Sequence, residues 1–251
     1  MNEYTKNLNR IEFVITYACS GRCKHCSEGE HISSGEHIDG DKAAEMIRKT
    51  AEKYEINSLM TFGGEPLLYP EAVCKIHSAA RDMGIPRRQI ITNGFFSRNS
   101  EKINSVAREI VKSGVNDILL SADAFHQETI PIEPVIEFAK AAINAGVPRL
   151  RAHPAWLVSE TDDNPYNNKT REILSEFHSM GIEISGGNVI FPSGNALKYL
   201  KEYFDPSTEY INPYTEDPRD VRAICVSPNG DVLGGNIYSA DILEILESYK
   251  P

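Results

Sequence analysis

Short β-branched runs alternate with longer stretches of helical periodicity along most of this chain. Ile11 to Thr16 predicts a strand. His37 to Tyr54 predicts a helix, with Ala43, Ala44, Met46, Ile47 and Ala51 on one side. Leu59 to Phe62 predicts a second strand. Pro70 to Met83 predicts a second helix, with Val73, Ile76 and Ala80 at helical spacing and Gly84 stopping it. Gln89 to Thr92, Asp117 to Ser121, Leu150 to Val158 and Ile182 to Phe191 predict four further strands. Ser100 to Lys112, Ile132 to Asn144, Lys169 to Met180 and Leu197 to Phe204 predict the helices that follow them. Gly114, Gly146 and Gly181 close three of these helices, as short connections back to a strand require.

Six strand-helix units predict an α/β fold with a parallel sheet and right-handed crossovers. An open doubly wound sheet and an incomplete barrel both satisfy this periodicity. After Phe204 the pattern changes. Pro206, Pro213 and Pro218 among polar residues predict a loop. Ala223 to Val226 and Val232 to Leu233 flank Pro228-Asn229-Gly230-Asp231, a hairpin signal. Ala240 to Tyr249 predicts a last short helix. Residues 205–251 therefore read as an appendage on a main domain of residues 1–204, too small for a core of its own.

Composition adds exclusions. With 41% hydrophobic and 25% charged residues among 251, the chain is neither disordered, collagen-like nor a disulfide-dense miniprotein. No run approaches the ~20 apolar residues of a membrane helix. Met1 to Lys6 shows no basic segment and apolar core, so no secretion leader and a cytoplasmic location are expected. A net charge of -10 argues against general nucleic-acid binding.

The five cysteines are uneven: Cys19, Cys23 and Cys26 are clustered, while Cys74 and Cys225 stand alone. An odd count without a leader argues against a disulfide framework. In a reducing compartment a tight group points to metal or redox chemistry. Three thiolates from one loop leave two readings open. A structural zinc needs a fourth ligand, from His25, His31 or Cys225. A [4Fe–4S] cluster normally takes four thiolates, so three leave one iron open to an outside ligand. The loop after the first strand also lies where α/β proteins bind ligands.

Cys19-Ser20-Gly21-Arg22-Cys23-Lys24-His25-Cys26 resembles the Cx3Cx2C signature of the radical S-adenosylmethionine (radical SAM) superfamily. Thr61-Phe62-Gly63-Gly64-Glu65-Pro66-Leu67-Leu68 is similar to that family's GGEP motif. Thr92-Asn93-Gly94 and Phe191-Pro192-Ser193-Gly194-Asn195-Ala196 also match segments frequent there. The resemblance spans roughly residues 11–196 and implies a partial (β/α)6 TIM-like barrel.

The resemblance implies that Cys19, Cys23 and Cys26 hold three irons and that the fourth binds SAM. One electron then splits SAM into methionine and a 5'-deoxyadenosyl radical, which abstracts hydrogen from a peptide or small-molecule substrate. It implies an electron donor such as flavodoxin or ferredoxin. Gly63, Gly64 and Pro66 are expected at the methionine moiety, with Glu65 accepting from the SAM ammonium. Asn93 is expected at ribose or carboxylate, or as a turn residue. Ser121 and Asp123 are expected at the ribose hydroxyls, with a helix cap as the other role for Asp123. Arg151 shares a strand face with His153 and is expected at the SAM carboxylate, or in a polar pair. Ile190 and Gly194 to Ala196 are expected at adenine. His126 and Glu128, in a polar loop, are expected at the barrel mouth, touching substrate or solvent.

Cys225 precedes Pro228-Asn229-Gly230-Asp231-Val232 with a spacing similar to the SPASM and twitch modules of the same superfamily. Those modules continue with further cysteines, whereas this chain has none after Cys225. A second cluster is therefore not expected. The hairpin is expected as a lid, with Cys225 as a hydrogen-atom donor in an epimerase or as a structural thiol. Oxidation and cross-linking are the alternative reactions. A non-catalytic metal protein is the reading from another class, and it predicts a fourth protein ligand and no use for Gly63-Gly64-Glu65.

Overall fold

β1 (Arg10–Val14) sends Ile11 and Phe13, both fully buried, to one face and Arg10 and Glu12 to the other. α1 (Gly40–Lys53) lays Ala43, Ala44, Met46 and Ile47 against the Ile11 and Phe13 side. Asp39 caps it by accepting from the backbone N–H groups of Asp41 and Lys42, a contribution of about 1 kcal/mol. A computed structural model describes residues 2–30, 35–210, 212 and 215–251, and in it the same step recurs along the chain. β2 (Ser58–Phe62) leads to α2 (Pro70–Asp82), β3 (Arg87–Thr92) to α3 (Ser100–Ser113), and β4 (Asp117–Ser121) to α4 (Ala124–Gln127) and α5 (Ile132–Asn144). β5 (Leu150–His153) and β6 (Ala155–Trp156) precede α6 (Pro165–Ser179). β7 (Glu183–Ile184) and β8 (Asn188–Val189) precede α7 (Gly194–Tyr199). β9 (Ala223–Val226), β10 (Asp231–Val232), β11 (Gly235–Asn236) and α8 (Ile242–Ser248) end the chain.

Seven strands form one sheet in the order β7-β5-β4-β3-β2-β1-β9, and every pairing in it is parallel. This is the expected α/β architecture of a partial barrel. Helices cover one face. On the other face the register places Cys225, Glu12, Met60, Gln89 and Asp117 in one row. Leu119, Arg151 and Glu183 form part of the next row. The C-terminal ends of the strands carry the loops with the cysteines, Gly63-Gly64 and Asn93.

Three features depart from the sequence reading. The expected long fifth and sixth strands are each split. Pro154 has no N–H for a ladder bond, and its carbonyl accepts from Asn188 N at 2.9 Å across a bend at Gly187, φ 71°. The expected hairpin is displaced: β9 joins the main sheet beside β1, and the antiparallel pair is β10–β11. The turn between them uses positive φ at Leu233 and Gly234, 48° and 76°. The terminal segment therefore lies at the sheet edge and not as a lid across the strand ends. Ile224, Val226, Ile242 and Leu246 are buried in the same core as Ile11 and Ile47, so 223–251 completes the main domain. Among the described residues no helix is long and apolar enough to cross a membrane. His31 and Pro213 lie outside the described residues.

Candidate active site

The cysteine loop starts where β1 ends, and the GGEP segment holds its root. Thr16 O accepts from Gly64 N at 2.7 Å, and Ala18 O accepts from Glu65 N at 2.8 Å. A Cβ on Gly64 would stand 2.0 Å from Ala18 O, and one on Gly63, φ 132°, 2.6 Å from Thr16 O. Glycine is needed here for the approach of two backbones.

Glu65 is also placed differently from expectation. Its side chain is fully buried. Oε1 accepts from Thr92 Oγ1 at 2.6 Å and Leu67 N at 2.9 Å, and Oε2 from Asn93 N at 2.8 Å. The carboxylate caps the 3-10 turn Pro66–Leu68 and straps the β2 loop to the β3 loop. Pro66 is buried at the start of that turn. Burial, opposed by these bonds, pushes the Glu65 carboxyl up to about 7. Asn93 Nδ2 reaches Ser20 Oγ at 3.2 Å and Cys19 Sγ at 3.5 Å, and its Oδ1 accepts from Phe95 N. It therefore touches the cysteine loop itself.

The β4 end supplies a second support. Ser121 is nearly buried and pairs in register with His153. Asp123, fully buried, takes the cap role. Oδ1 accepts from the backbone of Phe125 and His126, and Oδ2 from Ala155 N at 2.9 Å and the His126 ring Nδ1 at 2.8 Å. Burial resists its charge, but His126 beside it holds the carboxyl well below the usual range. His126 and Glu128 lie against the cysteine loop. His126 meets the His25 ring edge-on at 4.9 Å, Glu128 pairs with Lys24 at 2.9 Å, and Thr129 Oγ1 accepts from Arg22 N at 3.0 Å.

A third support comes from the segment before α7. Asn195 Nδ2 donates to Cys23 O at 3.0 Å and Asn195 N to Cys26 O at 2.9 Å. A Cβ on Gly194, φ 48°, would lie 2.4 Å from Ser27 O. This segment grips the cysteine loop, where the sequence reading put adenine. Ile190 is buried beside Cys23, Phe125, Leu157 and Ala196. Asn195 as an anchor was not foreseen, and neither was Thr92. Only their places beside quoted motifs marked them.

Arg151 does not reach this region. Its guanidinium bridges both oxygens of Asp117 at 2.6 and 2.7 Å, with Gln89 Nε2 on the same carboxylate at 2.8 Å. This is the polar-pair alternative expected for Arg151. Cys225 lies on the exposed edge strand, in register with Glu12. Surrounding protein, with Glu12 and Glu28 nearby, pushes its thiol up to about 12.

A model of the radical SAM superfamily matches residues 13–167, more than half of the chain. The chain belongs to the radical SAM superfamily. It is an enzyme of that superfamily, whose cofactors are a [4Fe–4S] cluster and SAM. It is similar to a protein named probable GTP 3',8-cyclase from Saccharolobus solfataricus, 25% identical over 222 residues, 82% of this chain and 67% of that one. A protein of the same name from Methanocaldococcus jannaschii is 24% identical over 159 residues, 61% of this chain and 51% of its own. The fold is similar to that of Streptococcus suis SuiB bound to S-adenosylmethionine. The TM-score is 0.60 at 12% identity, covering 97% of this chain and 66% of SuiB. It is also similar to native anSMEcpe with bound AdoMet, TM-score 0.59 at 13% identity, covering 96% of this chain and 80% of that one. These likenesses show the fold. The chain spans about two thirds of the length of the relatives it matches first.

The donor set fits that cluster. Cys19, Cys23 and Cys26, none of them in a disulfide, share one loop held from three sides. Burial pushes Cys19 up to about 11 and raises Cys23 and Cys26 as well, so without metal the three thiols are protonated. Cys74 in α2 and Cys225 in β9 belong to other elements.

Proposed function

We propose that Cys19, Cys23 and Cys26 ligate the cluster and that SAM occupies the iron without a protein thiolate. When bound there, the cluster would supply the electron for SAM cleavage, with a one-electron donor such as flavodoxin or ferredoxin as its source. Of the residues expected around SAM, Asn93 and Ser121 keep positions at the strand ends that suit polar contacts to it. Gly63, Gly64, Glu65 and Asp123 serve instead as supports of the loops around it.

The substrate is a peptide or small molecule with a C–H bond that gives up its hydrogen atom to the SAM-derived radical. Cys225 then returns a hydrogen atom to the resulting carbon radical, which makes the reaction an epimerisation. The S–H bond breaks, a C–H bond forms, and the thiyl left on Cys225 regains one electron from the donor and one proton from water. One observation carries this reading: Cys225 sits in the same row as Glu12 and Met60, on the sheet face the helices leave open, and on the strand next to the one that leads into the cysteine loop. Its raised pKa keeps the thiol in the S–H form needed for the transfer.

The relatives named probable GTP 3',8-cyclase favour a second reading, in which the small molecule is a nucleotide and the radical closes a ring. Cys225 then has no role in the chemistry. Cys225→Ala separates the two: the epimerase variant still releases 5'-deoxyadenosine but gives no inverted product, whereas a cyclising variant keeps its product.

A further inference from the structure

The cysteine loop and α4 bring together a second group of metal-binding atoms. Cys23 Sγ and one ring nitrogen each of His25 and His126 lie within 4.8 Å of one another. We propose that, in the cluster-free chain, these three side chains bind one zinc ion, which competes with cluster assembly for Cys23.

The two imidazoles are prepared for this in different ways. His126 gives its Nδ1 to Asp123 Oδ2 at 2.8 Å, which leaves Nε2 for a metal. A carboxylate behind a ligating histidine fixes the ring and raises its basicity. His25 Nδ1 is buried with no hydrogen-bond partner, an orphaned acceptor that a cation would satisfy. Phe125 packs on His25 at 5.0 Å, and Ile190, Leu157 and Ala196 close the apolar surround of Cys23.

The donor types suit zinc. Zn–S is about 2.3 Å and Zn–N about 2.0–2.1 Å, so tetrahedral ligand atoms stand roughly 3.3–3.8 Å apart. Closing the trio from within 4.8 Å takes a shift of about 1 Å, within the reach of side-chain torsions. Binding replaces the Cys23 S–H bond with a Zn–S bond and releases one proton to solvent, with no change of oxidation state. The fourth position stays open to water. Because one sulfur cannot serve both metals, zinc occupancy holds the chain in a cluster-free form. That competition rests on the assignment of Cys23 to the cluster, but the zinc site itself does not.

The test uses the full chain carrying Cys19→Ala and Cys26→Ala, demetallated and anaerobic, titrated with cobalt(II) and then with zinc. One equivalent of cobalt should give tetrahedral d–d bands with a thiolate charge-transfer band, and zinc should displace it. Adding His126→Ala or His25→Ala should weaken binding at least ~100-fold, and Asp123→Asn about 10- to 100-fold. His126→Gln, which can keep the bond to Asp123, should lose the metal as His126→Ala does, with circular dichroism unchanged. In the chain with all cysteines, one equivalent of zinc should block cluster reconstitution, and His126→Gln should relieve the block. Absence of tetrahedral cobalt bands in the double variant, or affinity unmoved by His25→Ala and His126→Gln, overturns the zinc site. Cluster loading unaffected by bound zinc, with the cobalt result intact, overturns only the competition.

Discussion

Replacing Glu65 by Gln changes how stability depends on pH, and the size follows from its surroundings. Glu65 accepts three hydrogen bonds yet is fully buried, and burial wins: its carboxyl is pushed from 4.5 up to about 7. The folded chain therefore holds this proton more tightly than the unfolded chain does. Between pH 4.5 and 7 the unfolded chain has lost the proton and the folded chain keeps it, so stability falls as pH rises through this window. A shift of about 2.5 units at ~1.36 kcal/mol each makes the change about 3 kcal/mol. Gln has the same shape and no charge, so it removes that slope. Its NH2 group must face one of three donors (Leu67 N, Thr92 Oγ1 or Asn93 N), a cost of about 1–3 kcal/mol that does not vary with pH. Urea denaturation of the cluster-free chain, wild type and Glu65→Gln, at pH 4.5 and 7.5 gives the difference directly. Other groups with shifted values, His77 among them, cancel in it. The variant should gain about 3 kcal/mol relative to wild type between the two pH values. Parallel pH dependence in the two proteins would refute the burial argument.

Replacing Cys19, Cys23 and Cys26 by Ala together should abolish iron binding and SAM cleavage, read as iron per chain and 5'-deoxyadenosine formed with dithionite. Gly64→Ala should drive the cysteine loop from its seat, because the added Cβ meets Ala18 O at 2.0 Å; iron content after reconstitution should fall severalfold. Asp123→Ala leaves the His126 ring and three backbone N–H groups without their acceptor, and should cost about 3–5 kcal/mol by denaturation at neutral pH. The Asp123 contribution is present above the ordinary carboxylate range and disappears as pH falls toward its depressed value. Cys225→Ala should leave 5'-deoxyadenosine formation intact and stop deuterium transfer from D2O into the product.

The helix and strand pattern was legible because each α/β unit buries one helix face and one strand face, and that periodicity is local. Observed α2, α3 and α5 keep nearly the limits the spacing predicts. The strand Ala223–Val226 was legible but its partner was not, because Asn229-Gly230 is a strong local turn signal while pairing with β1 is set by a partner far away in the chain. The cysteines and their neighbouring motifs marked the site. Roles within it were harder to read. Glu65, Asp123 and Arg151 look like ligand contacts by residue type, yet burial and nearby hydrogen-bond partners engage all three in structural pairing. Sequence spacing carries no information about which of two polar groups faces inward.

The most direct test of the epimerase account is a crystal structure with SAM and the cluster bound, read for the distance from Cys225 Sγ to C5' of the adenosyl group. Hydrogen transfer needs reacting atoms about 3–3.5 Å apart, so a substrate held between the two groups allows some 6–9 Å in total. The account predicts a distance in that range, with Cys225 Sγ facing the same cavity as SAM. A separation of more than roughly 10 Å, with Cys225 turned away from that cavity, would contradict it.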